Sequence, residues 1–315
     1  AKIASQLYNP FIAEIETSHG CPRKPGCSFC TDALKHPLEF RNQDDIISEI
    51  KALFPYTKYF RLGKQSCFFS YKNGNPLELE KLLKPIARLN PKVLHIDNVN
   101  PCMVNDERTK IVVKYCTSAN VAALGVESFD EKVIKANNLN STPDTTINAI
   151  KILNKYGKRR GENGMPRLLP GINILLGLIG ESKETLTINL DWLKKIRDHG
   201  LWLRRINIRQ VVPYLGTELY NKCGIRYLKR NMKYYWKFRY KVRHEVDLPM
   251  LRRIVPKGTI IKDVRTEIYH GNTTFARQLG SYPLIIGINM RVPLNKFFSV
   301  KVTGHMLRSI TAEII

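Results

Sequence analysis

Residues 14–30 read Glu-Ile-Glu-Thr-Ser-His-Gly-Cys-Pro-Arg-Lys-Pro-Gly-Cys-Ser-Phe-Cys. A strand-like apolar run, Phe11–Thr17, passes directly into a loop shaped by Gly20, Pro22, Pro25 and Gly26. That loop carries Cys21, Cys27 and Cys30, whereas Cys67, Cys102, Cys116 and Cys223 stand singly. Three thiolates on one irregular loop can converge on a single metal centre. A structural zinc site closes with four ligands, while three cysteines on a [4Fe-4S] cluster leave one iron open for chemistry. Two other readings stay open on these residues: zinc with His19 as fourth ligand, and buried unligated thiols. Seven cysteines, an odd number, argue against a disulfide scaffold and for a reducing cytoplasm.

Outward from this loop the chain keeps a steady beat. Further strand-like runs fall at Lys58–Leu62, Lys92–Asp97, Asn120–Val126, Gly171–Gly177 and Arg204–Val212. Helical patterns separate them at Asp44–Leu53, Pro76–Leu89, Glu107–Cys116, Thr142–Tyr156 and Lys183–His199. From Pro76, the residues Leu77, Leu79, Leu82, Leu83 and Ile86 mark one apolar face. Asp44 is expected as an N-cap and Pro143 in a first turn. Six β–α beats without a hairpin dipeptide predict a parallel α/β sheet with helices outside. A doubly wound sheet and a partial (β/α)6 TIM-like barrel both fit. In either, the site lies beyond the carboxyl ends of the strands.

After Pro213 the rhythm stops. Residues 226–243 hold eight basic and six aromatic residues and no acidic one. They suit a surface that grips phosphates and stacks on bases, or an amphipathic helix with buried rings. From Ile254, short β-branched runs at Thr259–Val264, Leu284–Ile288 and Phe297–Val302 predict a small all-β barrel. The expected division is therefore 1–225, 226–253 and 254–315.

Composition narrows the function. The hydrophobic share is 43% and the charged share 25%, which excludes disorder as the main state. No apolar run approaches the roughly 18–20 residues of a membrane span, and Ala1–Asn9 lacks the pattern of a signal peptide. Lys plus Arg is 51 against 27 Asp plus Glu, a net +24 that favours polyanionic partners, nucleic acid first.

The segments Glu14–Cys30, Gly125–Ser128 (GVES), Gly177–Glu181 (GLIGE) and Gln210–Tyr220 (QVVPYLGTELY) together resemble the radical S-adenosylmethionine (radical SAM) superfamily. The resemblance is to the subgroup of MiaB-type methylthiotransferases and coproporphyrinogen dehydrogenases, in an archaeal type without the N-terminal methylthiotransferase domain. The tail from Val255 resembles a TRAM domain. The family spacing is C-x3-C-x2-C; here two extra residues separate the first pair. The resemblance implies a [4Fe-4S] cluster on Cys21, Cys27 and Cys30, S-adenosyl-L-methionine as cofactor, and an electron donor as partner. In this family an electron from the cluster cleaves the cofactor's carbon–sulfur bond to a 5′-deoxyadenosyl radical.

It also implies cofactor contacts. Phe29 would lie beside the adenine. Gly63 and Gln65 fall where the family carries a Gly-Gly-Glu-like segment, with Lys64 a departure. Asn98, Glu127, Ser128, Asn173 and Gly177 follow at the ends of the next strands, and Arg209, Val211 and Pro213 close the last one. RNA, tRNA foremost, is the implied substrate. It would be held by Lys229, Arg230, Lys233, Lys237 and Arg239, with Arg265 and Arg277 on the barrel. Methylthiolation would need a second cluster, hence a separate polypeptide or further domain. Two rivals remain: a radical SAM enzyme acting on a small molecule or protein, and a zinc-stabilised RNA-binding protein without radical chemistry.

Overall fold

The computed structural model describes residues 12–315; Phe11 of the expected first strand and Ala1–Asn9 lie outside them. Six strands run parallel in sequence order: β1 (Ala13–Glu16), β2 (Tyr59–Gly63), β3 (Val93–Ile96), β4 (Asn120–Glu127), β5 (Leu168–Leu176) and β6 (Arg205–Gln210). The step from β3 to β4 is carried by Asn98 and Val99, which pair with Ala123 and Leu124. A doubly wound sheet reverses its order at a switch point. This sheet does not, and among the described residues β1 and β6 are unpaired with each other. The result is an open, TIM-like barrel of six strands.

Helices α1 (Gln43–Leu53), α2 (Pro76–Arg88), α3 (Asp106–Tyr115), α4 (Pro143–Gly157) and α5 (Lys183–Asp198) cover it. On α2, Leu79, Leu82, Leu83 and Ile86 are buried as the periodicity predicts, while Leu77 in the first turn is exposed. The cap of α1 is Asn42, whose side chain accepts from the Asp44 N–H; Asp44 sits inside the first turn instead. Pro143 opens α4 behind the Thr142 cap.

Residues 226–253 are not a linker. They form α6 (Arg226–Lys241), a wide turn at Val242–Asp247, and α7 (Leu248–Ile254). Tyr235, Phe238, Val242, Val246 and Met250 join the apolar core of the parallel domain, and Leu251 and Ile254 join that of the barrel. Glu181 anchors α6. Its buried carboxylate accepts from the Gly177 N–H (2.9 Å), Asn231 Nδ2 (3.2 Å) and the Tyr235 hydroxyl (2.5 Å). Its backbone carbonyl accepts from Arg230 and Asn231. Gly177, at φ +93°, would place a Cβ 2.9 Å from Leu228 and Val211. This glycine makes room for α6 rather than for adenine.

Strands β7 (Ile260–His270), β8 (Thr273–Gln278), β9 (Ile285–Ile288), β10 (Phe297–His305) and β11 (Ser309–Ile314) close into a barrel in the order 7-8-9-11-10. Only three of these five announce themselves as apolar runs. Arg265, expected on the surface, is 4% exposed and donates to Asn295 Oδ1 at 2.9 Å. It is a structural side chain of the barrel, not an RNA contact. Arg277 is spent on Glu267 at 2.9 Å.

The barrel docks at the amino ends of the parallel strands, where Ala119, Met165 and Leu169 share its core. Its β8–β9 loop plugs the floor of the open sheet. The Tyr282 hydroxyl donates to Asp97 Oδ1 at 2.5 Å, and the Ser281 N–H donates to His95 Nδ1 at 3.1 Å. Since Nδ1 accepts, the ring proton lies on Nε2, which donates to the Ser118 carbonyl at 3.0 Å. Full burial pulls His95 down to about 4.

A depressed histidine is neutral in the fold and protonated first in the unfolded chain. Its contribution is complete above about pH 6.5 and is lost as pH falls toward 4. Across that window thermal unfolding of the wild type should weaken by up to roughly 2–3 kcal/mol more than that of His95→Gln. Parallel pH profiles would show that His95 does not tie the seam.

Candidate active site at the carboxyl ends of the strands

A cavity of about 460 Å³ opens at the carboxyl ends of the strands. The loop after β1 contributes Cys21, Cys27, Phe29 and Cys30; β2 leads to Gln65; Asn98 follows β3. Glu127 ends β4 and Asn173 lies in β5. Residues spread over 150 positions of sequence therefore meet on one wall.

Side chains from elsewhere hold the cysteine loop. Ser28 Oγ donates to Asn137 Oδ1 at 2.6 Å, and Asn138 Nδ2 donates to the Pro25 and Gly26 carbonyls. Arg23 bridges Asn138 Oδ1 and Cys27 Sγ, at 3.0 and 3.1 Å. Gly20, at φ +77°, lies so close to the Pro37 carbonyl that a Cβ would sit 2.1 Å from its oxygen. Burial pushes the free Cys27 thiol up to about 11, with Arg23 pulling it back, and burial also raises Cys30. A metal that takes these sulfurs as thiolates therefore releases protons on binding.

The donors fit a cluster better than an ion. The three thiols ring a shared cavity. A four-iron cube holds its thiolates farther apart than tetrahedral zinc does. His19, the alternative fourth zinc ligand, pairs with Glu39 at 3.1 Å and packs edge-on against His36.

The wall also offers a receptor for a cation. Gln65 is buried, donates Nε2 to the Leu62 carbonyl at 2.9 Å, and leaves Oε1 without a partner. An orphaned buried acceptor costs free energy until a donor reaches it, and an ammonium is such a donor. Asn98 is held beside it through a 3.1 Å bond to the Gln65 carbonyl. Lys64 and Glu127 flank the cavity with φ of +58° and +65°, Glu127 on a bulge against β5. Such backbone is costly for non-glycine residues and clusters at functional sites. Burial pushes the Glu127 carboxyl up to about 8, with Arg209 drawing it down.

Several expected contacts lie off this wall. Ser128 is buried, donates to Asn189 Oδ1 at 3.3 Å and accepts from the Asp130 N–H. It organises the turn after β4 and is no cofactor ligand. Val211 is buried in a small cluster behind Cys27 and Phe29, so it backs the loop rather than touching the cavity. Pro213 is half-buried and Arg209 exposed, and neither lines the cavity. Gly63 makes room for Glu14, whose Oε1 accepts from Arg61 at 2.9 Å. Sequence reasoning missed Arg23, Ser66 and Cys67. The adjacent cations Arg23 and Lys24 between Cys21 and Cys27 were the one visible signal.

The radical SAM superfamily model matches residues 15–193. An uncharacterised protein of Methanocaldococcus jannaschii is 51% identical over 98% of this chain and 61% of its own length. One from Archaeoglobus fulgidus is 42% identical over 96% of this chain and 59% of its own. This chain thus spans about three fifths of the length of these curated relatives. Among solved structures it is similar to methylornithine synthase (TM-score 0.50, 16% identity, 77% of this chain and 68% of that one). It is also similar to the radical SAM methyltransferase TsrM of Kitasatospora setae with cobalamin and a [4Fe-4S] cluster bound (TM-score 0.51, 15% identity, 66% and 38%). These two likenesses are of fold.

The chain belongs to the radical SAM superfamily, and its cofactors are a [4Fe-4S] cluster and S-adenosylmethionine. Cys21, Cys27 and Cys30 would hold the cluster, which supplies one-electron chemistry when bound. Gln65 and Glu127 would receive the cofactor's amino and hydroxyl groups, and Phe29 would give its ring an apolar wall.

Two outcomes follow. Cys21→Ala, Cys27→Ala and Cys30→Ala should each lose the iron retained by Cys116→Ala, whose loss is a packing one of about 1–3 kcal/mol. Iron at the wild-type level in any of the first three would refute the ligand set. Gln65→Leu or Glu127→Ala should keep the iron yet weaken S-adenosylmethionine binding about ten- to hundredfold in equilibrium dialysis, the worth of one charge-assisted hydrogen bond. Unchanged affinity would make both residues structural.

Proposed function

We propose that this chain is a radical SAM enzyme that modifies RNA, most directly tRNA, related to the MiaB-type methylthiotransferases, with a TRAM-like C-terminal barrel. The observation that carries this reading is the outward face of α6. Trp236 is 76% exposed, and Met232, Tyr240, Lys229, Lys233, Lys237 and Arg239 are exposed with it, while Tyr235 and Phe238 turn inward. Rings and cations thus alternate on one solvent-facing surface, the arrangement that grips phosphates while stacking on unpaired bases. Arg230 is only partly free for this, since it donates to the Glu181 carbonyl and lies over the Tyr227 ring at 4.8 Å.

Position supports the same reading. The start of α6 packs at Gly177 and Val211, beside the cofactor cavity, and its continuation ends in the barrel core. The exposed face therefore runs from barrel to cavity. Small five-stranded barrels are recurrent oligonucleotide binders, and a net charge of +24 supplies the field. Sulfur transfer of the methylthiotransferase kind would need a second cluster. Cys67, Cys102, Cys116 and Cys223 stand singly in the sequence, so that step calls on another domain or polypeptide.

The test is mass spectrometry of tRNA nucleosides from cells with and without this gene: one modified nucleoside should disappear. An identical nucleoside profile would shift the substrate to a small molecule or protein. For binding, Trp236→Ala should weaken tRNA affinity by about 1–3 kcal/mol, the worth of one stacked base. Neutralising Lys229, Lys233 and Lys237 together should lower the log–log salt slope by up to about three. Identical salt titrations of tRNA binding would place the RNA elsewhere.

A further inference from the structure

The seam between the parallel domain and the barrel holds an arginine cluster that neither the cofactor cavity nor the α6 face uses. Arg204 and Arg205 stand at the start of β6, and Arg308 lies in the turn between β10 and β11. With Asp247, Tyr282 and Ile285 they line a cavity of about 250 Å³. Three arginines thus face one carboxylate, and that carboxylate is already taken by Arg243 in a close ion pair.

Their donors are largely unspent. Arg204 donates to the Tyr282 carbonyl at 3.1 Å. The Arg205 guanidinium lies over the Tyr282 ring at 4.6 Å, donates one Nη to Asn207 Oδ1 at 3.4 Å, and leaves its buried Nε unpartnered. Among the described residues Arg308 makes no hydrogen bond or ion pair. Burial first, and neighbouring arginines after it, pull Arg204 down to about 10. An uncompensated group of like charges is costly to hold at a half-closed seam. A multivalent oxyanion offsets that cost, because guanidinium forks match its oxygens in pairs. The cavity is below the roughly 300 Å³ at which pockets for whole small molecules begin. It suits one phosphate group and its nearest ester atoms.

We propose that Arg204, Arg205 and Arg308 bind a phosphate group in this seam. Assigning that phosphate to an RNA backbone rests on the function proposed above; the site itself does not. A phosphate here would touch the loop whose Tyr282 donates to Asp97, the neighbour of Asn98 on the cofactor wall. The same contact would thereby brace the floor of the cofactor site.

The experiment compares the full wild-type chain with Arg308→Gln and with Arg204→Gln/Arg308→Gln, using tRNA and inorganic phosphate as separate probes. Arg308 is exposed on a turn, so its single variant tests the site even if the double variant folds poorly. In the salt titration Arg308→Gln should weaken tRNA binding about tenfold and lower the slope by about one, and the double variant by about two. Inorganic phosphate, read by calorimetry, should bind the wild type and lose affinity in Arg308→Gln. If the wild type binds tRNA and neither probe distinguishes Arg308→Gln, the phosphate site is wrong and the RNA reading survives. If phosphate binds through Arg308 but tRNA does not bind, the site stands for a free phosphorylated ligand and the RNA reading falls. Binding of neither probe by the wild type overturns both.

Discussion

Tyr282 reaches from the C-terminal barrel into the floor of the parallel sheet and donates a 2.5 Å hydrogen bond to Asp97, 185 residues earlier. Six parallel strands do not close a barrel of the eight-stranded kind, so the amino ends of this sheet would otherwise admit water to its core. The β8–β9 loop fills that opening. His95 reads the loop backbone through the Ser281 N–H, and Arg205 covers the Tyr282 ring. One residue beyond Asp97, Asn98 faces the opposite end of the sheet and lines the cofactor cavity. A tie made at the bottom thus bears on a wall at the top, and the two domains form one unit around the site.

The cavity is shaped in advance of its ligands. Asn137 and Asn138 hold the cysteine loop by its backbone and by Ser28, while Glu181 fixes the helix that backs it. Lys64 and Glu127 sit in backbone conformations costing on the order of 1–3 kcal/mol each, which persist only where the surroundings over-determine them. Gln65 keeps an unpartnered acceptor beside three thiols. Strain, an orphaned acceptor and three half-buried thiols in one cavity form a destabilised set that cofactor binding relieves.

Much of this was legible in the sequence. The β–α beat located all six parallel strands, because strands covered by helices carry near-continuous apolar runs. The spacing of Cys21, Cys27 and Cys30 located the cavity. Less legible were features decided by partners far along the chain. Ser128 and Asn98 are both polar residues near strand ends, yet only Asn98 faces the cavity, since Asn189 on α5 draws the Ser128 hydroxyl away. Arg265 reads as a surface cation, but the inward turn of β7 buries it against Asn295. Glu181 of the Gly177–Glu181 segment serves Asn231 and Tyr235, partners 50 and 54 residues further along the chain. Strands β8 (TTFARQ) and β11 (SITAEI) escaped notice because half or more of their residues are polar, so neither forms a continuous apolar run.

The central claim is that three cysteines at the carboxyl ends of an open parallel barrel hold a four-iron cluster. It is tested most directly by anaerobic reconstitution of the full chain with iron and sulfide, followed by metal and sulfide analysis and Mössbauer spectroscopy. The account predicts a brown protein with about four irons and four sulfides per chain, and a [4Fe-4S] signature in which one iron responds to added S-adenosylmethionine. A colourless protein holding one zinc per chain, inert to iron and sulfide, would contradict it.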